Sequence, residues 1–161
     1  GVYAFTNLVK YNSTLEKANY DLKKEITTYL RGTAYSDQVV VGDLIELNVN
    51  SSLFCTAIDN LIRNGLKYND SPTKWVKIYM EDEDTICVED NGRGLSRKDF
   101  LFYCQPYMRN TNQSEVGSGL GLNIAAAIFT EHGFSIDPDK TETGTTMRIN
   151  LYANDKKYFV S

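Results

Sequence analysis

Residue types and spacings suited to chemistry occur in three stretches of the chain. The first is Asn60, Asn64 and Lys67. On a helix of ~100° per residue they fall within an arc of about 60°. Two carboxamides one turn apart are unusual, because Asn is a middling to poor helix former. Their oxygens can ligate a hard cation such as Mg²⁺, which keeps several waters and takes phosphate oxygens too. A solvated polar edge is the simpler alternative. The second stretch is Asp90-Asn91-Gly92-Arg93-Gly94-Leu95. An Asp at a strand end, followed by two glycines, can accept a hydrogen bond from a ligand amine while the backbone turns around it. An unliganded Asp-Asn-Gly turn gives the same pattern. The third is Val116-Gly117-Ser118-Gly119-Leu120-Gly121-Leu122-Asn123, ahead of an Ala/Ile-rich run to His132. A glycine-rich turn opening a helix binds phosphate, since free N–H groups and the helix dipole favour an anion. A close-packed turn into a core helix also accounts for it. The Rossmann fingerprint is excluded, because neither Leu122 nor Ile124 is the required third glycine. A P-loop is excluded by the lack of Gly-Lys-Ser/Thr.

These groups need elements to hold them. Phe54, Ala57, Ile58, Leu61, Ile62, Gly65 and Leu66 form one apolar stripe on a helix from about Leu53 to Tyr68, with Ser51 or Ser52 as its cap. Trp75–Met80 and Thr85–Glu89 read as an antiparallel pair joined by the acidic turn Glu81–Asp84, which brings Asp90 to a strand end. Residues 99–116 form a long mixed connection, expected to be a lid or a loop. Gly144–Leu151 alternates as a last strand with Met147, Ile149 and Leu151 inward. Upstream, a helix is expected from Tyr20 to Arg31, ended by Gly32, and strands at Val39–Val41 and Leu44–Val49. A short strand is expected at Phe134–Ile136. Residues 1–19 have no clean period and read as a linker or the tail of an upstream element, with one domain over 20–161.

Length and composition agree with one globular domain: 161 residues, 42% hydrophobic, 24% charged. The net charge of −4 argues against broad nucleic-acid binding, so an anionic ligand must be held by local donors. Cys55, Cys87 and Cys104 lie far apart and His132 is the only histidine, which disfavours a zinc site and favours a reducing, cytosolic setting. No apolar run approaches the ~18 residues of a membrane span. His132 reads as a cation at a helix C-terminus before a Gly stop.

The order of the pieces resembles the catalytic and ATP-binding domain of sensor histidine kinases. Asn60-Leu61-Ile62-Arg63-Asn64-Gly65-Leu66-Lys67-Tyr68 resembles the N box. Asp90-Asn91-Gly92-Arg93-Gly94 is similar to the first glycine box, and Pro106-Tyr107-Met108-Arg109 to the end of the F box. Gly117-Ser118-Gly119-Leu120-Gly121-Leu122 is similar to the second glycine box, and Gly144-Thr145-Thr146 to the last glycine motif. The resemblance covers about Leu44 to Leu151. It implies the Bergerat fold, an α/β (α+β) two-layer sandwich with a mixed sheet under about three helices, binding ATP with Mg²⁺.

On that template Asp90 takes the adenine amino group, and Gly92 and Gly94 let the backbone approach the base. Asn64, with Asn60, holds Mg²⁺ against the phosphates. Lys67 and Arg109 supply positive charge, and Tyr68 packs near the ribose or phosphates. The amides of Gly117, Ser118, Gly119, Leu120, Gly121 and Leu122 cradle the triphosphate. Thr145 supports the adenine pocket, and residues 99–116 become the lid. The sequence departs from the family at Gly65, where Ala is usual, at Asn123 and Ala126-Ala127, and in a lid poor in basic residues.

The implied partners are a dimerisation domain of the same protein, which carries the phosphoacceptor His, and a response regulator downstream. No nucleic acid or membrane contact is implied for this fragment. It is expected in the cytoplasm as a monomer, with its parent either soluble or membrane-anchored. Related ATPases and serine kinases carry a Glu general base where this chain has Asn60, so hydrolysis by the chain alone is expected to be very slow. The rival readings are an ATP-binding regulatory module without transfer, and a free-standing ATPase or serine kinase. His132 is not the expected acceptor, since about ten helical residues put it ~15 Å from the phosphate turn.

Overall fold

A computed structural model describes residues 15–104 and 116–152, with the backbone alone for 116–120. Its elements are β1 (Ala18–Asp21), α1 (Leu22–Leu30), β2 (Val39–Val41), β3 (Glu46–Val49), α2 (Ser51–Lys67), β4 (Val76–Asp82), β5 (Thr85–Asp90), α3 (Arg97–Tyr103), α4 (Val116–Glu131), β6 (Ser135–Thr141) and β7 (Gly144–Asn150). Five strands form a mixed sheet in the order β2-β4-β5-β7-β6. β2 runs parallel to β4 and the other neighbours are antiparallel. β1 and β3 form a separate antiparallel pair.

Alternation along the strands decides which face is covered. Ile78, Ile86, Val88, Met147 and Ile149 face the helices and join Phe54, Ile58, Ile62, Leu122, Ile128 and Phe129 in one core. The opposite face is polar, with Tyr79 donating to Glu89 and Arg148 bridging Glu81 and Asp139. This is the expected two-layer α+β sandwich. Among the described residues α3 is a helix beyond the three expected; it starts at Arg97 and runs into the first part of what read as a long connection.

Several local expectations are corrected. The upstream helix starts at Leu22, because Tyr20 and Asp21 pair with Leu47 and Glu46 in β1–β3. Asp21 instead caps α1, accepting from the Lys24 amide at 3.2 Å. Strand β1 also spans the boundary placed between residues 19 and 20. The cap of α2 is Asn50, not a serine: its backbone is extended and its Oδ1 accepts from the Leu53 amide at 3.0 Å. β6 is longer than the expected Phe134–Ile136, because pairing with β7 carries it from Ser135 to Thr141. Among the described residues no helix is long and apolar enough to cross a membrane.

Candidate functional site

Asp90 ends β5, where pairing with Thr145 of β7 fixes its backbone. Its side chain turns toward α2 and meets Gly65, where an added Cβ would stand 2.7 Å from both Cβ and Oδ2 of Asp90. From the other side Gly144 comes so close that its Cβ would fall 1.9 Å from the Asp90 carbonyl oxygen. The Gly92 amide donates to Oδ1 at 2.8 Å. Burial pushes the Asp90 carboxyl up from 3.8 to about 6, against the amides of Gly92 and Thr145, which pull it down.

A cavity of about 260 Å³ opens beside Asp90. Among its lining residues are Asn64, Tyr68, Asp90, Gly94, Leu122 and Thr145, so six of the sequence-derived positions come together. Leu61, Leu95 and Met147 add apolar wall, and Asp99 and Tyr103 of α3 close one side. Thr145 holds this wall by accepting the Leu95 amide on its Oγ1 at 2.7 Å. Leu61 and Met147 read from the sequence only as core positions. Leu95 closes the second of the stretches singled out in the sequence, and Asp99 and Tyr103 fall within residues 99–116, but nothing in the sequence marks these three individually.

The turn after α2 is tied to the Asp90 loop by two carboxamides. Asn69 Nδ2 donates to the Gly65 carbonyl and to Asn91 Oδ1, which also accepts the Trp75 amide. The Arg93 amide donates to the Tyr68 carbonyl at 3.0 Å. In the sequence Asn91 reads as a turn residue, and the partners that give it and Asn69 this role are distant along the chain.

Asn60 and Asn64 part company. Asn64 lines the cavity, whereas Asn60 is buried and does not. The Asn60 Oδ1 accepts from Arg63 Nη2 at 2.9 Å. This corrects the reading of a solvated polar edge, and it leaves Asn64 as the carboxamide facing the cavity. Arg63 Nε in turn donates to Asp59, a buried carboxylate that also accepts from the hydroxyls of Tyr29 and Tyr35. Lys67 is exposed, its Nζ 5.7 Å from the ring centroid of Tyr68.

The glycine-rich stretch is helical from Val116, so Gly117, Ser118, Gly119, Leu120 and Gly121 belong to α4 instead of a turn before it. Leu122 is buried and faces the cavity. The first four amides of an α-helix lack partners within it, so an anion-binding end remains, shifted to Val116–Gly119. Arg109 and the rest of residues 105–115 lie outside the described residues.

His132 is not the cation expected at a helix end. It is buried, and its Nε2 accepts the Asn50 amide at 3.0 Å. Nδ1 therefore carries the proton, donated to the Ile128 carbonyl at 2.9 Å. Burial lowers its pKa, so it rests neutral. It ties the end of α4 to the start of α2.

The sequence and the fold have counterparts among known proteins. The model of the histidine kinase-, DNA gyrase B- and HSP90-like ATPase family matches residues 50–155. Cyanobacterial phytochrome B of a Nostoc species is 32% identical over 124 residues, which are 73% of this chain and 15% of that protein. Heme sensor protein HssS of Staphylococcus saprophyticus is 31% identical over 120 residues, 71% of this chain and 26% of that protein. The chain thus spans about a quarter or less of these relatives' length. Among solved structures, the catalytic domain of histidine kinase ThkA superposes with a TM-score of 0.64 at 18% identity, covering 84% of this chain and 94% of that one. Histidine kinase AdeS of Acinetobacter baumannii gives 0.65 at 20% identity, covering 92% and 73%.

Proposed function

The chain belongs to the histidine kinase-, DNA gyrase B- and HSP90-like ATPase family, and on that premise we propose that it is the ATP-binding catalytic domain of a two-component sensor histidine kinase. In this reading it donates the γ-phosphoryl of Mg-ATP to a histidine on a separate dimerisation domain of the same protein. A response regulator acts downstream, and the domain works in the cytoplasm.

The observation that carries the reading is the half-buried Asp90 carboxylate beside an apolar-walled cavity that Asn64 also lines. A carboxylate can accept the exocyclic amino group of adenine, while Leu61, Leu95, Leu122 and Met147 pack against the ring. Tyr68 flanks the ribose, and Lys67 supplies charge toward the phosphates. The amides that open α4 fit the triphosphate. The donor set fits Mg²⁺ at Asn64, a neutral oxygen ligand facing the cavity, with water and phosphate oxygens completing its shell. When bound, the ion would screen the charge of the phosphates.

The reading of a kinase half over a self-sufficient ATPase is favoured by the carboxylates. No carboxylate of α2 lines the cavity, and Asp59, next to Asn60, is taken by Tyr29, Tyr35 and Arg63. A general base for water is therefore missing from the helix where the related ATPases carry one. The acid/base group for transfer belongs to the acceptor domain.

The test is incubation with γ-labelled ATP and Mg²⁺, with and without the dimerisation domain of the full-length protein. Acid-labile label on the added domain and none on this chain is the expected result. Label on this chain that vanishes in His132→Ala would contradict it. Nucleotide binding without transfer would favour a regulatory module.

A further inference from the structure

Arg63 is the residue of α2 that the site described so far does not use. Its Nε is bound by Asp59 at 2.9 Å and its Nη2 by Asn60 Oδ1 at 2.9 Å. Asp59 is fixed in turn: its side chain is 7% exposed, and Tyr29 and Tyr35 donate to its two oxygens. The guanidinium is thus oriented by a buried carboxylate, two phenols and a carboxamide. Yet the Arg63 side chain itself is 56% exposed. An arginine whose purpose was only to neutralise Asp59 would need neither Asn60 nor a solvent-facing fork.

The direction in which it is held matters. The Asn60 Oδ1 that accepts from Arg63 also lies 3.3 Å from where a Cβ at Gly121 would stand. The atom that orients Arg63 therefore sits beside Gly121 of α4. Nη1 lies outside both of these bonds, and a planar fork held on one side presents its remaining N–H groups to an anion in a fixed geometry. The same contact bears on the metal. An oxygen already accepting from a guanidinium is a poor ligand for a dication, since the two positive charges would lie within ~5 Å of each other.

Resting on the nucleotide reading above, we propose that Arg63 binds the nucleotide phosphates and that Asn60 is a positioning residue that orients it, not a ligand of Mg²⁺. Asn64 then serves the metal and Asn60 the arginine. This adds an anion-binding cation from α2 itself, at the face where the helix meets α4.

The experiment is calorimetric binding of ATP and of adenosine, each with Mg²⁺ and with EDTA, to the unmodified chain, Arg63→Gln, Arg63→Lys, Asn60→Ala and the Arg63→Gln/Asn60→Ala pair. In EDTA, Arg63→Gln and Asn60→Ala should each weaken ATP roughly tenfold, the loss of a hydrogen bond to a charged group. Adenosine should bind all variants alike, which also shows that they are folded. Because both act through one fork, the pair should be no weaker than the weaker single variant. Arg63→Lys should recover only part of the loss, since an ammonium cannot span Asp59, Asn60 and a phosphate. An unchanged ATP affinity in Arg63→Gln, or an Asn60→Ala loss present only with Mg²⁺, would overturn the proposal. If the unmodified chain bound neither ATP nor adenosine, the nucleotide reading itself would fall, a result distinct from either of these.

Discussion

Asp90 lies directly on the bare backbone of Gly65: a Cβ at that position would stand only 2.7 Å from its Cβ and Oδ2. The α2 helix and the end of β5 thus touch at the carboxylate assigned to the adenine. A methyl group at 65 cannot be absorbed by a swing of the carboxylate alone, because the Cβ of Asp90 is also in the way. Gly65→Ala should therefore displace Asp90 and weaken ATP by about tenfold or more, measured by calorimetry. The gain in helix propensity, up to ~1 kcal/mol, should keep the loss of thermal stability small. Unchanged affinity would show that the contact does not position the carboxylate.

Asp90 also carries a stability cost. Its carboxyl is raised from 3.8 to about 6 by burial, so the folded state prefers the protonated form. The stabilisation from this group is complete below pH 3.8 and is lost as pH rises through about 6, a change on the order of 3 kcal/mol. Asp90→Asn removes this half-buried charge. It should raise the Tm of the ligand-free domain at pH 8, raise it less at pH 4.5, and still weaken ATP. A lower Tm at pH 8 would contradict this.

His132 works in the opposite sense. Its Nε2 can accept the Asn50 amide only while unprotonated, and its pKa is lowered by burial. The stabilisation it gives is complete above the ordinary 6.5 and is lost as pH falls through the depressed value. Lys17 presses the same way, while Glu131 and the Ile128 carbonyl favour the cation. Urea midpoints measured from pH 7.5 downward should fall less steeply in His132→Gln than in the unmodified chain. Parallel slopes would refute the assignment.

Asp59 accepts from both Tyr29 and Tyr35, but the two are not equivalent. Tyr29 is more exposed and shares Oδ2 with Arg63, whereas among the described residues Tyr35 alone serves Oδ1. Tyr35→Phe leaves that buried oxygen unpaired, a loss of about 1–3 kcal/mol. Tyr29→Phe should cost less. Urea unfolding of the two variants gives the ranking, and the reverse order would contradict the arrangement.

The parts of the site that repeat a period were legible in the sequence. The apolar stripe of α2 from Phe54 to Leu66 and the inward Met147, Ile149 and Leu151 of the last strand are local patterns. So was Asp90, which follows a strand and precedes glycines. What was not legible depends on partners far along the chain. Ala18–Asp21 became a strand because Glu46–Val49 lies beside it. Gly117, Gly119 and Gly121 joined a helix despite their poor propensity, since the run behind them, with Leu122, Ala125, Ile128 and Phe129, is anchored in the core. The separation of Asn60 from Asn64 follows from Arg63, whose offset of about 60° from Asn60 on the same helix gives no sign that it turns to it. His132 looked like a helix-end cation, and only the fold supplies the Asn50 amide that makes it neutral.

The central claim is that Asp90 reads the amino group of adenine. A base that presents a carbonyl at that position would set two acceptors against each other in a half-buried site. The most direct measurement is competition of ATP and GTP for the unmodified chain, repeated with Asp90→Asn, in the presence of Mg²⁺. ATP should bind at least ~100-fold more tightly than GTP, and Asp90→Asn should weaken ATP and narrow the gap. Comparable affinities for ATP and GTP in the unmodified chain would contradict the claim.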